Sequence, residues 1–112
     1  MSVLLNTNLP ILKEIVDLIV SEVSPDQIIL FGSHARGDAR ESSDIDLLIL
    51  KKGLEDERGF TDVVEDILYH NHISVAVDHI AMDYDRYYKM NDVIGYIYST
   101  IKDEGKIIHE TV

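Results

Sequence analysis

The sequence contains no cysteine among its 112 residues, which excludes disulfide bonds and thiolate metal sites and fits a reducing compartment. It also lacks any apolar run near the ~20 residues that a membrane-spanning helix needs. The first six residues carry neither the cationic segment nor the long apolar stretch that opens a signal peptide. We therefore expect a globular cytoplasmic protein with no membrane partner.

Basic residues are also scarce. Ten Lys and Arg stand against 21 Asp and Glu, so the net charge is −11. A field of this sign repels nucleic acid, whose binding depends on neutralising phosphates with Lys and Arg. We therefore expect no direct nucleic-acid partner, whereas a cationic metal and a basic or neutral protein partner suit the charge. With 46% apolar and 28% charged residues, the composition is that of one globular domain over residues 1–112.

The apolar residues recur in helical and strand-like patterns that alternate along the chain. Together they predict an α/β (α+β) domain with a small mixed sheet flanked by helices. Helices are expected over Leu9–Val23, Glu57–Tyr69, Asp83–Met90 (capped by Asp83) and Asn91–Glu104, and strands over Gln27–Phe31, Asp44–Leu50, Ile73–Met82 and Lys106–His109.

A glycine-serine turn, Gly32-Ser33, follows the first strand and opens about one turn of helix ending at Gly37. Glycine allows the backbone to approach a phosphate closely, amide N–H groups at a helix start favour anions, and Ser33 adds a hydroxyl donor. Arg36 either reaches a triphosphate or pairs with Asp38 on the surface. Taken alone, the segment is better explained by an ordinary strand-to-helix turn.

Two aspartates, Asp44 and Asp46, open the second strand, where alternate side chains share a face. Carboxylates this close repel one another, and a divalent cation removes the repulsion. Mg²⁺ takes oxygen ligands from one or two carboxylates plus substrate phosphates. For an isolated Asp-x-Asp, two solvated aspartates are the commoner explanation. The apolar residues Ile45, Leu47 and Ile49 are expected to face the core.

The combined pattern is far more specific than its parts. Gly32-Ser33-x-Ala35-Arg36-Gly37, five further residues and then Ser43-Asp44-Ile45-Asp46-Leu47-Leu48-Ile49 resemble the defining motif of the DNA polymerase β-like nucleotidyltransferase superfamily. The sequence looks most like the minimal nucleotidyltransferases, which are single-domain proteins of about this length. The resemblance implies the polymerase β-like nucleotidyltransferase fold.

The resemblance also implies a catalytic metal centre. Asp44 and Asp46 would bind two Mg²⁺ ions. The family carries a third carboxylate on a later strand, for which Asp78 is the candidate. Asp78 would bind the catalytic metal and help to activate the attacking hydroxyl. Small residues at Ser74 and Ala76 would leave space on the same face, although a solvent-facing aspartate at a strand end is the plainer alternative.

The nucleotide site follows from the same resemblance. Gly32 and Ser33 would hold the triphosphate of ATP, and Arg36 and Ser43 are the further candidates for nucleotide contact. The preference for ATP comes from the family and from no residue in particular.

No residues remain in the sequence for a domain that binds the acceptor. Many minimal nucleotidyltransferases resemble the antitoxin of a two-gene module whose toxin is a HEPN-domain RNase. Such antitoxins transfer AMP from ATP to a tyrosine hydroxyl of the toxin, and an acidic antitoxin suits a basic toxin. We therefore expect a protein adenylyltransferase that acts as an antitoxin. The alternatives are an antitoxin that masks the toxin by binding alone, and an aminoglycoside-type nucleotidyltransferase completed by a homodimer or second subunit.

Overall fold

The computed structural model describes residues 10–40, 42–93 and 97–111. Helices and strands alternate along most of this part of the chain, as the sequence pattern predicts. In the described residues no helix is both long and apolar enough to cross a membrane. The elements are α1 (Pro10–Val23), β1 (Gln27–Phe31), α2 (Ser33–Arg36), β2 (Ile45–Lys51), α3 (Glu57–His70), β3 (Val77–Asp83), α4 (Tyr84–Met90), α5 (Ile97–Glu104) and β4 (Lys106–Glu110).

The four strands form one mixed sheet in the order β3-β2-β1-β4. β1 is antiparallel to both of its neighbours, whereas β2 and β3 are parallel and are connected by α3. A parallel pair needs such a crossover because a tight hairpin can only join antiparallel strands. The predicted mixed α/β architecture is therefore confirmed, and β3 lies at one edge of the sheet.

Both faces of the sheet contribute to the hydrophobic core. On one face, α1 and α3 cover Ile45, Leu47 and Ile49 as predicted. On the other face, Leu48 and Leu50 pack with Tyr87 of α4 and Ile101 of α5. Alternate residues of β2 thus enter two separate hydrophobic clusters. The Asp46 side chain projects from this second face, as do those of Leu48 and Leu50, and lies nearest to the start of β2.

Two strands begin later than the sequence pattern predicts. β2 begins at Ile45 rather than Asp44, which lies just before it. β3 begins at Val77 rather than Ile73, because β2 offers a partner only from Ile45, which pairs with Val77. Ile73 and Val75 still pack against the core from the preceding loop. These apolar side chains are therefore buried by packing alone, without the hydrogen bonds of a β-ladder.

The described part of the last helix is Ile97–Glu104, and Asn91 lies in a turn rather than in that helix. A turn closes α4, in which the Val93 amide donates to the Met90 carbonyl at 3.0 Å. Residues 94–96, and the predicted helix start at Leu9, lie outside the described residues. Asp83 caps α4 as predicted, since its side chain accepts from the Arg86 amide.

Removing side-chain volume from the centre of β2 should destabilise the protein strongly. Leu47 is fully buried, so Leu47→Ala is expected to lower the free energy of unfolding by about 2–5 kcal/mol. Ile107 on edge strand β4 is 42% exposed, and Ile107→Ala should change it by less than about 1 kcal/mol. Urea unfolding followed by circular dichroism measures both values. Equal midpoints for the two variants would contradict the two-sided core.

Candidate functional site

A tight turn connects β1 to the four-residue helix α2. Gly32 has φ 75° and ψ −157°, and its carbonyl accepts from the amides of Ala35 and Arg36, each at 3.0 Å. Within the described part of the chain, the amides of Ser33 and His34 have no acceptor. First-turn amides of this kind are the donors that a helix start offers to an anion. The turn predicted from Gly32 and Ser33 is therefore present with two free donors.

Gly32 lies directly against the Asp46 carboxylate. β1 pairs with β2 so that Phe31 is opposite Asp46, which brings the next residue, Gly32, beside the same side chain. A Cβ atom at position 32 would overlap the Asp46 carboxylate. Glycine is thus required here both for its positive φ and for the space that it leaves. The turn and the aspartate occupy adjoining positions in one site.

The parallel pairing of β2 and β3 aligns two of the predicted carboxylates. Asp46 is in direct register with Asp78, so both side chains project from the same face of the sheet. Neighbouring strands lie about 4.8 Å apart. Asp44 precedes Asp46 by two residues and is exposed, as is Asp78. The structure therefore brings together the three aspartates that the sequence analysis selected.

The three carboxylates influence one another electrostatically. Burial raises the pKa of Asp46, and the nearby negative charges of Asp78 and then Asp44 raise it further. The neighbouring side chains of His34 and Arg36 lower the pKa of Asp46 and offset this shift only in part. Ionised Asp46 is therefore under electrostatic strain in the protein alone. A bound cation would relieve that strain.

The donor set fits a hard divalent cation. All three side chains offer carboxylate oxygens, the ligands that Mg²⁺ prefers, and their mutual repulsion favours a positive ion between them. The described residues contain no group of three His, Asp or Glu side chains already placed to hold a metal. The carboxylates therefore suit Mg²⁺ chemically, and their side chains must converge to bind it.

Ser43 and His34 organise the loop that leads into β2. The Ser43 hydroxyl accepts from the Arg40 amide at 2.8 Å, and the His34 Nε2 lies 3.2 Å from the Ser43 carbonyl. In the tautomer with a proton on Nε2, His34 donates to that carbonyl. The contact ties α2 to the residue immediately before Asp44. Neither the sequence spacing nor the resemblance indicated this role for His34.

Arg36 adopts the ion-paired alternative that the sequence left open. Its Nε lies 3.2 Å from Asp38, and its Nη1 lies 3.3 Å from Glu104 at the end of α5. The two carboxylates raise the pKa of the guanidinium. Glu104 is 68 residues further along the chain, so no local sequence signal could have revealed this contact. Contact of Arg36 with nucleotide stays a prediction.

Gly32→Ala should damage both the fold and the site. The positive φ alone is expected to destabilise the variant by about 1–3 kcal/mol, and the new Cβ must also displace the Asp46 carboxylate. Gly53→Ala is the matched control, because Gly53 has φ 76° and open space around its would-be Cβ. Urea unfolding should show the backbone penalty in both variants and a larger total loss in Gly32→Ala. Equal losses would argue against the close packing of Gly32 on Asp46.

Asp46→Asn should stabilise the protein near neutral pH. Because the folded-state pKa of Asp46 is raised above 3.8, ionisation of this group opposes folding once the pH rises through the folded-state value. The melting temperature of Asp46→Asn should therefore exceed that of the unchanged protein at pH 7. The difference should shrink as the pH falls toward 3.8. Thermal melts with Asp66→Asn, an exposed position on α3, supply the control, and a lower melting temperature for Asp46→Asn at pH 7 would refute the prediction.

Comparison with known proteins gives one family match and several relatives. The Nucleotidyltransferase domain family matches residues 12–108. Over 54 residues the chain is 43% identical to a protein of Methanocaldococcus jannaschii named "Putative protein adenylyltransferase MJ1305". That alignment covers 44% of this chain and 37% of the relative. The chain thus spans little more than a third of that relative's length.

Two solved structures share the fold. A crystal structure described as a toxin-antitoxin with AMP-PNP has a TM-score of 0.62 at 19% identity, covering 88% of this chain and 73% of the other. A nucleotidyltransferase from Sulfolobus solfataricus, described as putative, has a TM-score of 0.59 at 27% identity, covering 88% and 77%. The family match spans β1, the Gly32 turn and all three aspartates. On this evidence the chain belongs to the Nucleotidyltransferase domain family.

Proposed function

We propose that this chain is a Mg²⁺-dependent protein adenylyltransferase. It moves AMP from ATP to a hydroxyl, a tyrosine in the simplest case, of a partner HEPN RNase toxin, and so acts as an antitoxin. The observation that carries the proposal is the in-register pair Asp46 and Asp78 beside the Gly32 turn. Backbone amides that can bind phosphate lie there next to carboxylates that can bind a metal ion, as nucleotidyl transfer requires.

Each part of the site has a separate task in this reaction. The free amides of Ser33 and His34, with the Ser33 hydroxyl, bind and orient the triphosphate. Asp44 and Asp46 would hold two Mg²⁺ ions, and Asp78 would be the third carboxylate ligand. Bound Mg²⁺ would lower the pKa of the attacking hydroxyl and neutralise charge on the departing pyrophosphate.

The transfer exchanges one phosphorus–oxygen bond for another. The acceptor oxygen bonds to the α-phosphorus of ATP while the bond from that phosphorus to the bridging oxygen breaks, and pyrophosphate leaves. We assign the hydroxyl proton to Asp78, and its exposure on the outer strand of the row supports this choice. The products are an AMP ester of the acceptor and pyrophosphate.

Two of the relatives support the choice of a protein acceptor. The Methanocaldococcus relative is named as a protein adenylyltransferase, and the structural neighbour is a toxin-antitoxin with a bound ATP analogue. The charge of −11 also suits a basic partner such as an RNA-binding toxin. Glycine, serine and three aspartates of the transfer motif are all present, whereas an antitoxin that only masks its toxin would need none of them.

The experiment combines the protein with ATP labelled on the α-phosphate, Mg²⁺ and the toxin encoded beside it. We expect the label on the toxin, with a mass increase of one or more AMP units. Asp46→Asn and Asp78→Asn should each slow labelling on the order of 10²–10³-fold, because each removes a negatively charged ligand from the transition state. Chelation of Mg²⁺ should abolish labelling.

Asp66→Asn on α3 removes an exposed carboxylate of the same type that lines a different cavity, and this variant should label normally. Neutralisation of the toxin without ATP and without label would instead establish masking. Labelling of an aminoglycoside without labelling of the toxin would establish the small-molecule alternative. Labelling that persists in Asp46→Asn would refute the assigned mechanism.

A further inference from the structure

The strand that carries Asp78 has an open edge. β3 pairs only with β2 among the described strands. The Ile45 amide donates to the Ala76 carbonyl, so alternate residues from Ala76 onward turn their backbone groups toward β2. The backbone N–H and C=O groups of the intervening residues therefore point toward the open edge; these residues are Val77, His79 and Ala81. Such an edge is a ready template for another strand.

One stripe of α3 runs beside this edge and forms a groove with it. Two adjoining cavities of about 290 and 330 Å³ lie between them. Side chains at helical spacing line one wall, and β3 with its preceding loop lines the other. The helix wall comprises Glu57, Arg58, Thr61, Asp62, Glu65, Leu68 and Tyr69.

The groove is closed at one end and open at the other. At the closed end, Glu57 accepts from the Asp83 amide at 3.1 Å, which occupies the last outward-facing donor of β3. Between the cavities, the His79 Nε2 lies 2.7 Å from Glu65. The side chain of His79 is 96% buried and its Nδ1 has no partner within the described residues. The open end is apolar and lies beside Asp78.

The charge of the groove selects the kind of partner. Asp62 and Glu65 are exposed acids on its helix wall, while Glu57 and Arg58 stand together at the closed end. A second copy of this chain would bring the same acids face to face, on top of a net charge of −11 for each copy. A basic strand from a different protein would complement them.

We propose that the groove receives an extended, basic segment of the partner protein, which adds to β3 as a fifth strand. Its alternate residues then point to opposite faces of the sheet. Basic side chains on one face meet Asp62 and Glu65. On the other face, the residue opposite Asp78 extends the row Phe31, Asp46 and Asp78 and lies about 5 Å from Asp78. The identification of that residue as the acceptor rests on the proposed function, whereas strand addition itself does not.

The binding test uses the isotopically labelled full chain and a synthetic peptide, with no ATP. The peptide has about nine residues in which lysine alternates with valine, and a tyrosine replaces the central valine. Amide NMR signals of Val77 and His79 should shift more than those of Asp78 and Ile80, whose backbone groups face β2. The same peptide with glutamate in place of lysine should leave all four signals unmoved.

Four variants separate the contributions of the edge and the charge. Val77→Pro removes an outward N–H at the first residue of β3, where proline is tolerated, and should abolish the shifts. Val77→Ala controls for the lost side chain and should retain them. Asp62→Lys should weaken peptide binding at least tenfold, whereas Glu22→Lys, the same charge change on α1, should not.

The outcome for the groove is independent of the outcome for catalysis. The docking proposal is overturned if the basic peptide binds elsewhere or binds no better than the acidic peptide. It is also overturned if the amide signals of Val77 and His79 do not shift. Toxin labelling that proceeds at the normal rate in Val77→Pro likewise overturns it and leaves the adenylyltransferase proposal intact. Peptide shifts at the β3 edge without toxin labelling would retain the docking surface and reject the proposed function.

Discussion

The site depends on one alignment across three strands. Phe31 is opposite Asp46, and Asp46 is opposite Asp78, so a single row crosses β1, β2 and β3. A slip of one residue in either pairing would turn one aspartate to the opposite face. The register is held by burial on both sides, because each residue of β2 from Leu47 to Leu50 belongs to one of the two hydrophobic clusters. The core thus sets the position of the carboxylates.

Without a bound cation, this alignment lowers the stability of the folded protein. Burial and the neighbouring carboxylates raise the pKa of Asp46, so its ionised form is held in an unfavourable environment. Arg36 relieves the strain little, since it is engaged with Asp38 and Glu104. Functional sites commonly keep such strain at the expense of stability. The strain is the physical reason why a cation would be favoured at the site.

Much of this arrangement could be predicted from sequence because it depends on local rules. Strand alternation predicts Asp44 and Asp46 on one face, although Asp44 lies just before β2, and the glycine turn follows from its position after a strand. Asp78 needed the family resemblance, because no local rule specifies the parallel register that brings it to Asp46. The predicted start of β3 is wrong by four residues, because the apolar pattern from Ile73 does not show where β2 offers a pairing partner. The contacts of Glu104 with Arg36 and of His79 with Glu65 depend on packing between distant elements.

The position of β3 at the sheet edge links the chemistry to recognition. The Gly32 turn, whose free amides can bind phosphate, lies beside the inner end of the row of side chains. Asp78 occupies the outer end. A reaction that joins a nucleotide to a second substrate needs access from two directions, and within the described residues the outer end of the row lies at an unpaired edge of the sheet. The proposed fifth strand on the far side of Asp78 would bring the second substrate to that end. The acids beside the edge keep other copies of the chain away, which favours a basic segment of a different protein as the occupant that we propose.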